Sequence, residues 1–216
     1  MRIGVLGTGV VGQTIATKLV SLGHDVKMGS RTAGNEKARA WVARAGSRAS
    51  EGTFADAAAF GELVFNCTRG ESSLVALDAA GADNLRGKIL VDVANPLDFS
   101  KGFPPTLSVA NDDSLGERIQ RAFPETRVVK TLNTVHCEVM VNPARIPGDH
   151  TIFVSGNDPS AKAEVRELLV SGFGWKDVID LGDIGTARGT EAYLLLWVRL
   201  YGVLKSADFN VRVVRS

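Results

Sequence analysis

The first thirty-one residues constrain the fold more than any other stretch of this chain. Arg2–Leu6 is short, apolar and rich in β-branched residues, which predicts a buried strand. The glycine-punctuated turn Gly7–Gly12 follows at once, and apolar residues then recur at helical spacing as far as Leu22. Asp25–Met28 predicts a second strand. A strand, a glycine-rich turn, a helix and a second strand form the first unit of a dinucleotide-binding Rossmann fold.

Each glycine of the turn has a physical role in such a unit. Gly7 permits the tight turn, Gly9 lets the backbone approach a pyrophosphate, and Gly12 allows close packing of helix on strand. The start of the helix offers unpaired N–H groups and the positive end of its dipole to a phosphate. The residues expected to contact the cofactor in this turn are Gly7, Thr8, Gly9, Val10, Val11 and Gly12.

The end of the second strand decides which dinucleotide the turn would bind. An NAD site has a carboxylate there, but no acid sits at the end of this strand, and Asp25 lies at its start. Ser30 and Arg31 stand instead where a 2′-phosphate would lie, with Lys37 nearby, and a guanidinium fork suits a phosphate. We therefore expect NADP(H) rather than NAD. The alternative is that Arg31 is a solvated loop arginine.

Residues that directly follow the later strands are further candidates for cofactor contact. The carboxyl ends of parallel strands meet at one edge of the sheet, so these residues would lie near the glycine-rich turn. One of them, Cys67, is interpreted as a small buried thiol rather than a nucleophile. Two interpretations of the Asn95 amide are equally favoured: it contacts the ribose or nicotinamide, or it only stabilises its own turn. The candidates from these three strand ends are Asn66, Cys67, Thr68, Ala94, Asn95, Asn133 and Val135.

Composition excludes several classes of function. The 216 residues carry a net charge of +1 with both signs interspersed, which gives no electrostatic footprint for nucleic acid or an anionic membrane. Cys67 and Cys137 are far apart and not in metal-ligand spacing, so free thiols and no metal site are expected. No signal peptide is recognised, and the longest apolar run, Ala192–Val198, is too short to span a bilayer. We expect a cytoplasmic protein.

The predicted architecture is an α/β fold, a doubly wound and mainly parallel Rossmann sheet with a small helical C-terminal part. Residues 1–145 would form the NADP-binding domain, and residues 146–216 a smaller α/β part that closes the cleft. The sixteen residues 98–113 are read as a functional or mobile loop without structure. Residues 192–204 predict a helix that is apolar nearly all round, which indicates a homodimer. Residues 209–214 predict a last short strand.

Stretches spread over nearly the whole chain resemble the coenzyme F420-dependent NADP oxidoreductases. They are Gly7-Thr8-Gly9, Gly29-Ser30-Arg31, Ala94-Asn95-Pro96-Leu97, Val129 to Thr134, and Asp180-Leu181-Gly182 with Ala187-Arg188. The resemblance includes the oxidoreductase domain of membrane ferric reductases, which reduces a flavin with NADPH. It implies that Thr8, Ser30 and Arg31 hold the 2′-phosphoribose and that Gly9, Val10 and Val11 line the approach to the nicotinamide. It also implies that Ala94, Asn95, Asn133 and Val135 wall the hydride-transfer site.

The resemblance implies hydride transfer between NADP(H) and a planar redox cofactor, F420 or a flavin. Such a reaction needs little acid–base chemistry, and we identify no catalytic dyad in the sequence. A reductase of a small carbonyl or imine is the alternative, with His136 or Lys130 as proton donor. His136, Cys137 and Glu138 are adjacent, and on a strand or loop they would point different ways rather than converge on one metal ion. A non-catalytic NADPH sensor is the third possibility.

Overall fold

Short apolar segments alternate with helices along the chain, and the strands assemble into one large sheet and one two-stranded ribbon. The computed structural model describes residues 1–216. The strands are β1 (Arg2–Leu6), β2 (Asp25–Ser30), β3 (Ala49–Thr53), β4 (Leu63–Asn66), β5 (Ile89–Asp92), β6 (Leu97–Asp98), β7 (Thr106–Leu107), β8 (Arg127–Thr131), β9 (Thr151–Ser155) and β10 (Asp177–Asp180). The helices are α1 (Val10–Ser21), α2 (Glu36–Ala45), α3 (Phe54–Phe60), α4 (Ser73–Ala80), α5 (Ala82–Leu85), α6 (Leu115–Ala122), α7 (Cys137–Val141), α8 (Pro159–Glu167), α9 (Ala187–Ala192) and α10 (Leu194–Leu204).

The large sheet has eight strands in the order β10-β9-β8-β5-β4-β1-β2-β3. All neighbouring pairs are parallel except β8 and β9. From β1 the chain builds outward to β3, then crosses back to β4 and builds the other way, so the strand order reverses between β1 and β4. Ligands of doubly wound sheets bind outside the carboxyl ends of the strands at this switch point. The predicted Rossmann-type α/β fold is confirmed.

Apolar side chains cover both faces of the sheet. Ile15 of α1 and Trp41 of α2 pack on one face, where the buried indole of Trp175 joins them. Leu77 of α4 and Ile119 of α6 pack on the other face. Burial of this apolar area is the main stabilising term for the fold, and it holds the carboxyl edge of the sheet in a fixed position.

The region predicted as a structureless loop contains a small antiparallel ribbon. Leu97 pairs with Leu107 and Asp98 with Thr106, as β6 and β7. The N–H of Ser108 also donates to the carbonyl of Pro96 at 2.8 Å. The expectation of a loop without structure was therefore wrong, because two residues on each side suffice for a ribbon and give too short a pattern to recognise in the sequence.

The C-terminal segment differs from the prediction at both ends. The helix begins earlier, as α9, and Tyr193 separates it from α10. The predicted strand at 209–214 was wrong, since no strand forms there. The carbonyl of Val211 does accept the N–H of Thr151 at 3.0 Å, but the side-chain amide of Asn210 donates to the carbonyl of Thr151 at 2.8 Å. A side chain thus satisfies the carbonyl that a strand partner would have used.

The sheet runs continuously across the predicted domain boundary. β9 and β10 follow residue 146 and extend the sheet beyond β8, so a division into residues 1–145 and 146–216 stays a prediction. None of the helices combines the length and the apolar character needed to cross a lipid bilayer.

Candidate active site

The glycine-rich turn has the geometry that its sequence predicts. Gly7 has a φ of 118°, and a Cβ there would lie 2.7 Å from the carbonyl oxygen of Cys67. A Cβ on Gly12 would lie 2.2 Å from the carbonyl oxygen of Gly7. A Cβ on Gly9, by contrast, would meet no atom within 4 Å. Gly7 and Gly12 are thus required by packing, whereas Gly9 leaves open space above the backbone.

The start of α1 is free of protein partners. Gly9 is the N-cap and supplies no side-chain cap, and the N–H groups of Val10, Val11 and Gly12 donate to no protein acceptor. A helix start leaves such donors for water or a ligand. The open space at Gly9 lies beside these donors, which fits the pyrophosphate of a dinucleotide.

A cavity of about 850 Å³ extends from this turn past the end of β2, and we call it the basic cavity. Ser30 is buried, and its hydroxyl donates to the carbonyl of Thr32 at 2.6 Å. Arg31 and Lys37 line the cavity without a hydrogen bond or ion pair to any protein group. Asp25 pairs with Arg48 at 3.0 Å at the opposite end of β2. The cavity therefore offers two unpaired cations and no carboxylate at the strand end, which fits a 2′-phosphate.

A second cavity of about 900 Å³ adjoins the first, and we call it the apolar cavity. Cys67 and Thr68 line both cavities and mark their junction. More than half of its lining residues are hydrophobic. The sequence prediction missed several of them, because they come from the β6–β7 ribbon, α7 and α10 and meet only in the fold. The missed hydrophobic residues that the argument below uses are Phe99, Met140, Leu194 and Trp197.

The predicted site residues divide between these cavities. Those lining the basic cavity are Gly7, Thr8, Gly9, Ser30 and Arg31. Those lining the apolar cavity are Val10, Val11, Ala94, Asn95, Asn133 and Val135. Gly12 and Asn66 line neither. Asn66 is fully buried, and it donates to Ser73 and Asp92 and accepts from Thr68. Its position indicates support of the loop after β4, and a cofactor contact from it stays a prediction.

Asn95 and Asn133 form a reciprocal amide pair in the wall of the apolar cavity. Asn95 Nδ2 donates to the carbonyl of Asn133 at 2.8 Å, and Asn133 Nδ2 donates to Asn95 Oδ1 at 2.9 Å. Asn133 Nδ2 also donates to the carbonyl of Thr190 at 3.1 Å. Leu132, with a φ of 62°, turns the backbone out of β8 directly before Asn133, a costly conformation that the surrounding contacts must hold. The amide of Asn95 therefore shapes this wall, whatever further contact it makes.

A buried ion cluster lies beneath the same wall. Lys130 Nζ is 2.8 Å from Asp92 Oδ2 and 2.8 Å from Glu191 Oε1, and it also donates to the carbonyl of Ala94. All three charged side chains are almost entirely buried. Burial lowers the pKa of Lys130, but the attraction of both carboxylates outweighs it and the net shift is upward. Lys130 lines neither cavity, so it is not placed to donate a proton to a ligand.

The two carboxylates of the cluster are also held by neutral donors. Asp92 accepts from Asn66 and from the N–H of Ala94. Glu191 accepts the N–H groups of Leu115 and Gly116, at the start of α6. The cluster therefore ties β5, β8, α6 and α9 together, and through α9 it fixes the position of α10, which lines the apolar cavity.

His136 and the two thiols lie at or near the apolar cavity. His136 lies in a loop, as expected, and is the N-cap of a short helix, α7, whereas Cys137 and Glu138 lie within that helix. The Nδ1 atom of His136 is buried and has no partner, and Nε2 lies 3.7 Å from Cys137 Sγ. Burial raises the pKa of the Cys67 thiol strongly, and Asp92 adds to the shift. Burial also raises the pKa of Cys137. Both thiols are thus held in the protonated, unreactive form.

Comparison with known proteins agrees with this geometry. The model of a family described as coenzyme F420-dependent NADP oxidoreductase matches residues 2–96. The chain is 56% identical to a crystallised Arthrobacter sp. FB24 protein provisionally described as an F420-dependent NADP reductase, with a TM-score of 0.95 and 100% of both chains covered.

More distant proteins share parts of the chain or its fold. The metalloreductase STEAP3 of Rattus norvegicus is 32% identical over 199 residues, which cover 88% of this chain but only 36% of that protein. A reductive aminase from Aspergillus terreus in complex with NADPH is 20% identical, with a TM-score of 0.66 over 94% of this chain and 62% of that chain, and shares the fold. On the strength of the family match and the full-length relative, the chain belongs to the coenzyme F420-dependent NADP oxidoreductases.

Proposed function

We propose that NADP(H) lies across both cavities, with its adenosine half in the basic cavity and its nicotinamide in the apolar cavity. The 2′-phosphate would meet Arg31 and Ser30, with Thr8 beside the ribose, and the pyrophosphate would rest on the start of α1 over Gly9. The observation that carries this proposal is the row of unpartnered N–H groups at the helix start beside the open space at Gly9. Two unpaired cations at the end of β2 support the choice of the phosphorylated cofactor.

The reaction that fits the apolar cavity best is hydride transfer to or from a planar ring, that of F420 or a flavin. When bound, NADPH supplies a hydride from its nicotinamide. The chain's own part is to hold two rings face to face and to exclude water. Ala94, Asn95 and Asn133 would wall one side, and Val10, Val11 and Val135 would add apolar surface. No proton donor is needed for this role.

Reduction of a small carbonyl or imine is the second candidate. It needs a proton donor, and His136 is the remaining one, because Lys130 is enclosed by Asp92 and Glu191. Replacement of His136 by alanine separates the candidates. Near-full activity on a ring acceptor favours simple hydride transfer, whereas loss of activity on a carbonyl or imine favours the second candidate.

The binding proposal is tested by Arg31→Ala. Loss of a charged hydrogen bond of about 1.5–3 kcal/mol should weaken NADPH about ten- to 150-fold, while NADH should barely change. Arg48→Ala is the matched control, since Arg48 is an exposed arginine at the far end of β2. Equal losses for both cofactors would show that Arg31 does not contact the 2′-phosphate.

The acceptor is tested by following the loss of NADPH absorbance with F420, FMN, FAD and quinones. Oxidation by a ring acceptor supports the proposed reaction. Tight NADPH binding without oxidation by any of them would favour a non-catalytic NADPH sensor instead.

A homodimer is the proposed assembly, formed through the outer face of α10. Leu196 and Val203 on that helix are 53% and 80% exposed, and Leu195, Tyr201 and Leu204 are exposed beside them. A contiguous exposed apolar patch of this kind favours association. The same helix supplies Leu194 and Trp197 to the apolar cavity, so a partner covering its outer face would also steady the cavity wall. The cytoplasm is the proposed compartment, because both cysteines are free thiols.

A further inference from the structure

The indole of Trp197 is positioned by packing and not by a hydrogen bond. Trp197 lines the apolar cavity, and its Nε1 atom is buried without a partner. The other two indoles are fixed differently. Trp41 Nε1 donates to Thr17 Oγ1 at 3.0 Å. Trp175 Nε1 donates to the carbonyl of Met140 at 2.9 Å. The orientation of Trp197 therefore depends on the groups that are packed against it.

Two aromatic rings stack on this indole. The ring of Tyr201, one turn further along α10, has its centroid 5.7 Å away at an interplanar angle of 6°. The ring of Phe209 has its centroid 5.2 Å away at an angle of 26°. Phe209 comes after α10, which ends at Lys205 with a left-handed backbone, φ 53°. Tyr201 belongs to the same helix as the indole, whereas Phe209 reaches the indole only because the chain folds back.

Phe209 is anchored on both sides by hydrogen bonds to the body of the protein. Directly before it, the carboxylate of Asp208 accepts from Arg145 Nη2 at 2.8 Å and from Arg145 Nε at 3.2 Å. Directly after it, Asn210 Nδ2 donates to the carbonyl of Thr151 at 2.8 Å. These contacts fix the chain on either side of Phe209, and we call residues 208–210 the strap.

The strap connects two walls of the apolar cavity. Arg145 follows α7, whose Met140 lines that cavity, and Trp197 lines it from α10. Only two side chains of α10 are buried, those of Leu194 and Val198. The helix therefore packs on the body over a small area, and the strap gives it a second attachment close to the indole.

We propose that Phe209 is a positioning residue for the hydride acceptor. It holds the Trp197 indole in place, so that the acceptor ring meets a wall that is already formed. Phe209 itself lines neither cavity, so it acts through the indole and not by touching the ligand. A wall formed in advance raises affinity, because binding no longer has to order it. This inference rests on the proposed function.

The test measures acceptor binding to protein saturated with NADP⁺, so that no turnover occurs. F420 and FMN are both titrated against the wild type by equilibrium dialysis, and the variants are titrated with whichever of the two binds more tightly. Phe209→Ala should weaken that binding about twofold to tenfold, the scale of one aromatic pair. Phe209→Tyr keeps the ring and should bind like the wild type. NADPH affinity should not change, because most of its proposed contacts lie in the basic cavity and at the start of α1.

A double-mutant cycle shows whether Phe209 acts through the indole. Trp197→Leu should weaken acceptor binding at least as much as Phe209→Ala does, and adding Phe209→Ala to it should cause no further loss. Phe60→Ala is the matched control, since Phe60 is also half-buried but lies near Arg2 and Lys27 and lines neither cavity. It should leave acceptor binding unchanged. Thermal unfolding of each variant establishes that the fold is retained.

The position of the indole is also measured without any ligand. Trp41 and Trp175 are each 1% exposed, so a change in the quenching of tryptophan emission by acrylamide reports mainly on Trp197. Quenching should increase in Phe209→Ala, and this increase should be absent when Trp197→Leu is also present.

The outcomes separate this inference from the function beneath it. The inference would be overturned, while the proposed function stands, by unchanged acceptor affinity or unchanged quenching in Phe209→Ala. An equal loss of NADPH affinity, a loss in Phe209→Tyr as large as in Phe209→Ala, or a full further loss in the Trp197→Leu background would also overturn it. A wild-type protein loaded with NADP⁺ that binds neither F420 nor FMN would refute the proposed function and the inference together.

Discussion

Replacement of Lys130 by methionine removes a buried charge while keeping most of the side-chain volume. In the wild-type chain, Nζ lies 2.8 Å from the carboxylates of both Asp92 and Glu191, and all three side chains are shielded from water. The variant would leave two buried carboxylates without their shared cation. Each keeps its neutral hydrogen-bond donors, among them the N–H of Ala94 for Asp92 and the N–H of Leu115 for Glu191. Loss of one partner of a buried ion pair costs about 3–5 kcal/mol.

Two measurements test this: the free energy of unfolding in urea and the melting temperature. For a chain of this length each kcal/mol lost lowers the melting temperature by about 2–4 °C, so a decrease of about 6–20 °C is expected. Arg86→Met is the matched control, because Arg86 also lies between two carboxylates, Asp83 and Glu125, but is exposed. It should show no measurable loss. A Lys130→Met variant as stable as the control would refute the claim that this cluster holds the site together.

The pH dependence gives a second check on Lys130. Its pKa is raised in the folded chain, so its contribution is complete below the unfolded-state value of about 10.4 and is lost as pH rises through the folded value. As pH rises from neutral, the stability difference between the wild type and Lys130→Met should therefore begin to shrink only above about pH 10.4. A difference that already shrinks as pH rises from about 7 to about 10 would contradict this origin.

Three further predictions use other parts of the molecule. Gly9→Ala should fold normally and weaken NADPH binding, because its Cβ would occupy only the open space proposed for the pyrophosphate, whereas Gly7→Ala should lower the melting temperature through its clash with a backbone carbonyl. Glu117→Gln should be less stable than wild type at neutral pH, since the Arg188 hydrogen bond lowers the pKa of Glu117. That difference should vanish as pH falls through the folded pKa, below the unfolded-state value of about 4.3. Leu196→Glu should give a monomer by mass measurement in solution if α10 forms a dimer contact.

Each of these three has an outcome that contradicts it. NADPH binding unchanged in Gly9→Ala would exclude a phosphate at that residue. A Glu117→Gln difference that persists at low pH would assign the effect to packing rather than charge. A wild-type chain that is already monomeric would remove the proposed dimer.

The sequence by itself determined the first half of the fold and the geometry of the glycine-rich turn. The strand, the glycine turn and the helix up to Leu22 are contiguous, so their local pattern specifies their geometry. Gly7 and Gly12 have the packing roles that their spacing predicts, because each role depends on neighbours within one turn of chain or one adjacent strand. Gly9 leaves open space, and a pyrophosphate there stays a prediction. The absence of an acid after β2 could likewise be read directly.

The tertiary structure alone decided the acceptor half. Phe99, Met140, Leu194 and Trp197 meet in one cavity although nearly a hundred residues separate the first from the last. No local sequence pattern could predict that these residues line one cavity, because their proximity depends on how the ribbon, α7 and α10 pack on the sheet. The strand expected at 209–214 failed for a related reason, since the Asn210 side chain takes the carbonyl that a strand would need.

The role of Lys130 shows the same division most clearly. In sequence it is an isolated lysine in an apolar strand, and a proton donor was a reasonable expectation for it. Only the fold places the carboxylates of Asp92, on the neighbouring strand, and of Glu191, about sixty residues further along the chain, 2.8 Å from Lys130 Nζ. The local sequence determines which backbone N–H groups are available to a phosphate. The pairing of distant charges depends instead on long-range packing. That packing encloses Lys130 between two carboxylates, so its role is structural rather than catalytic.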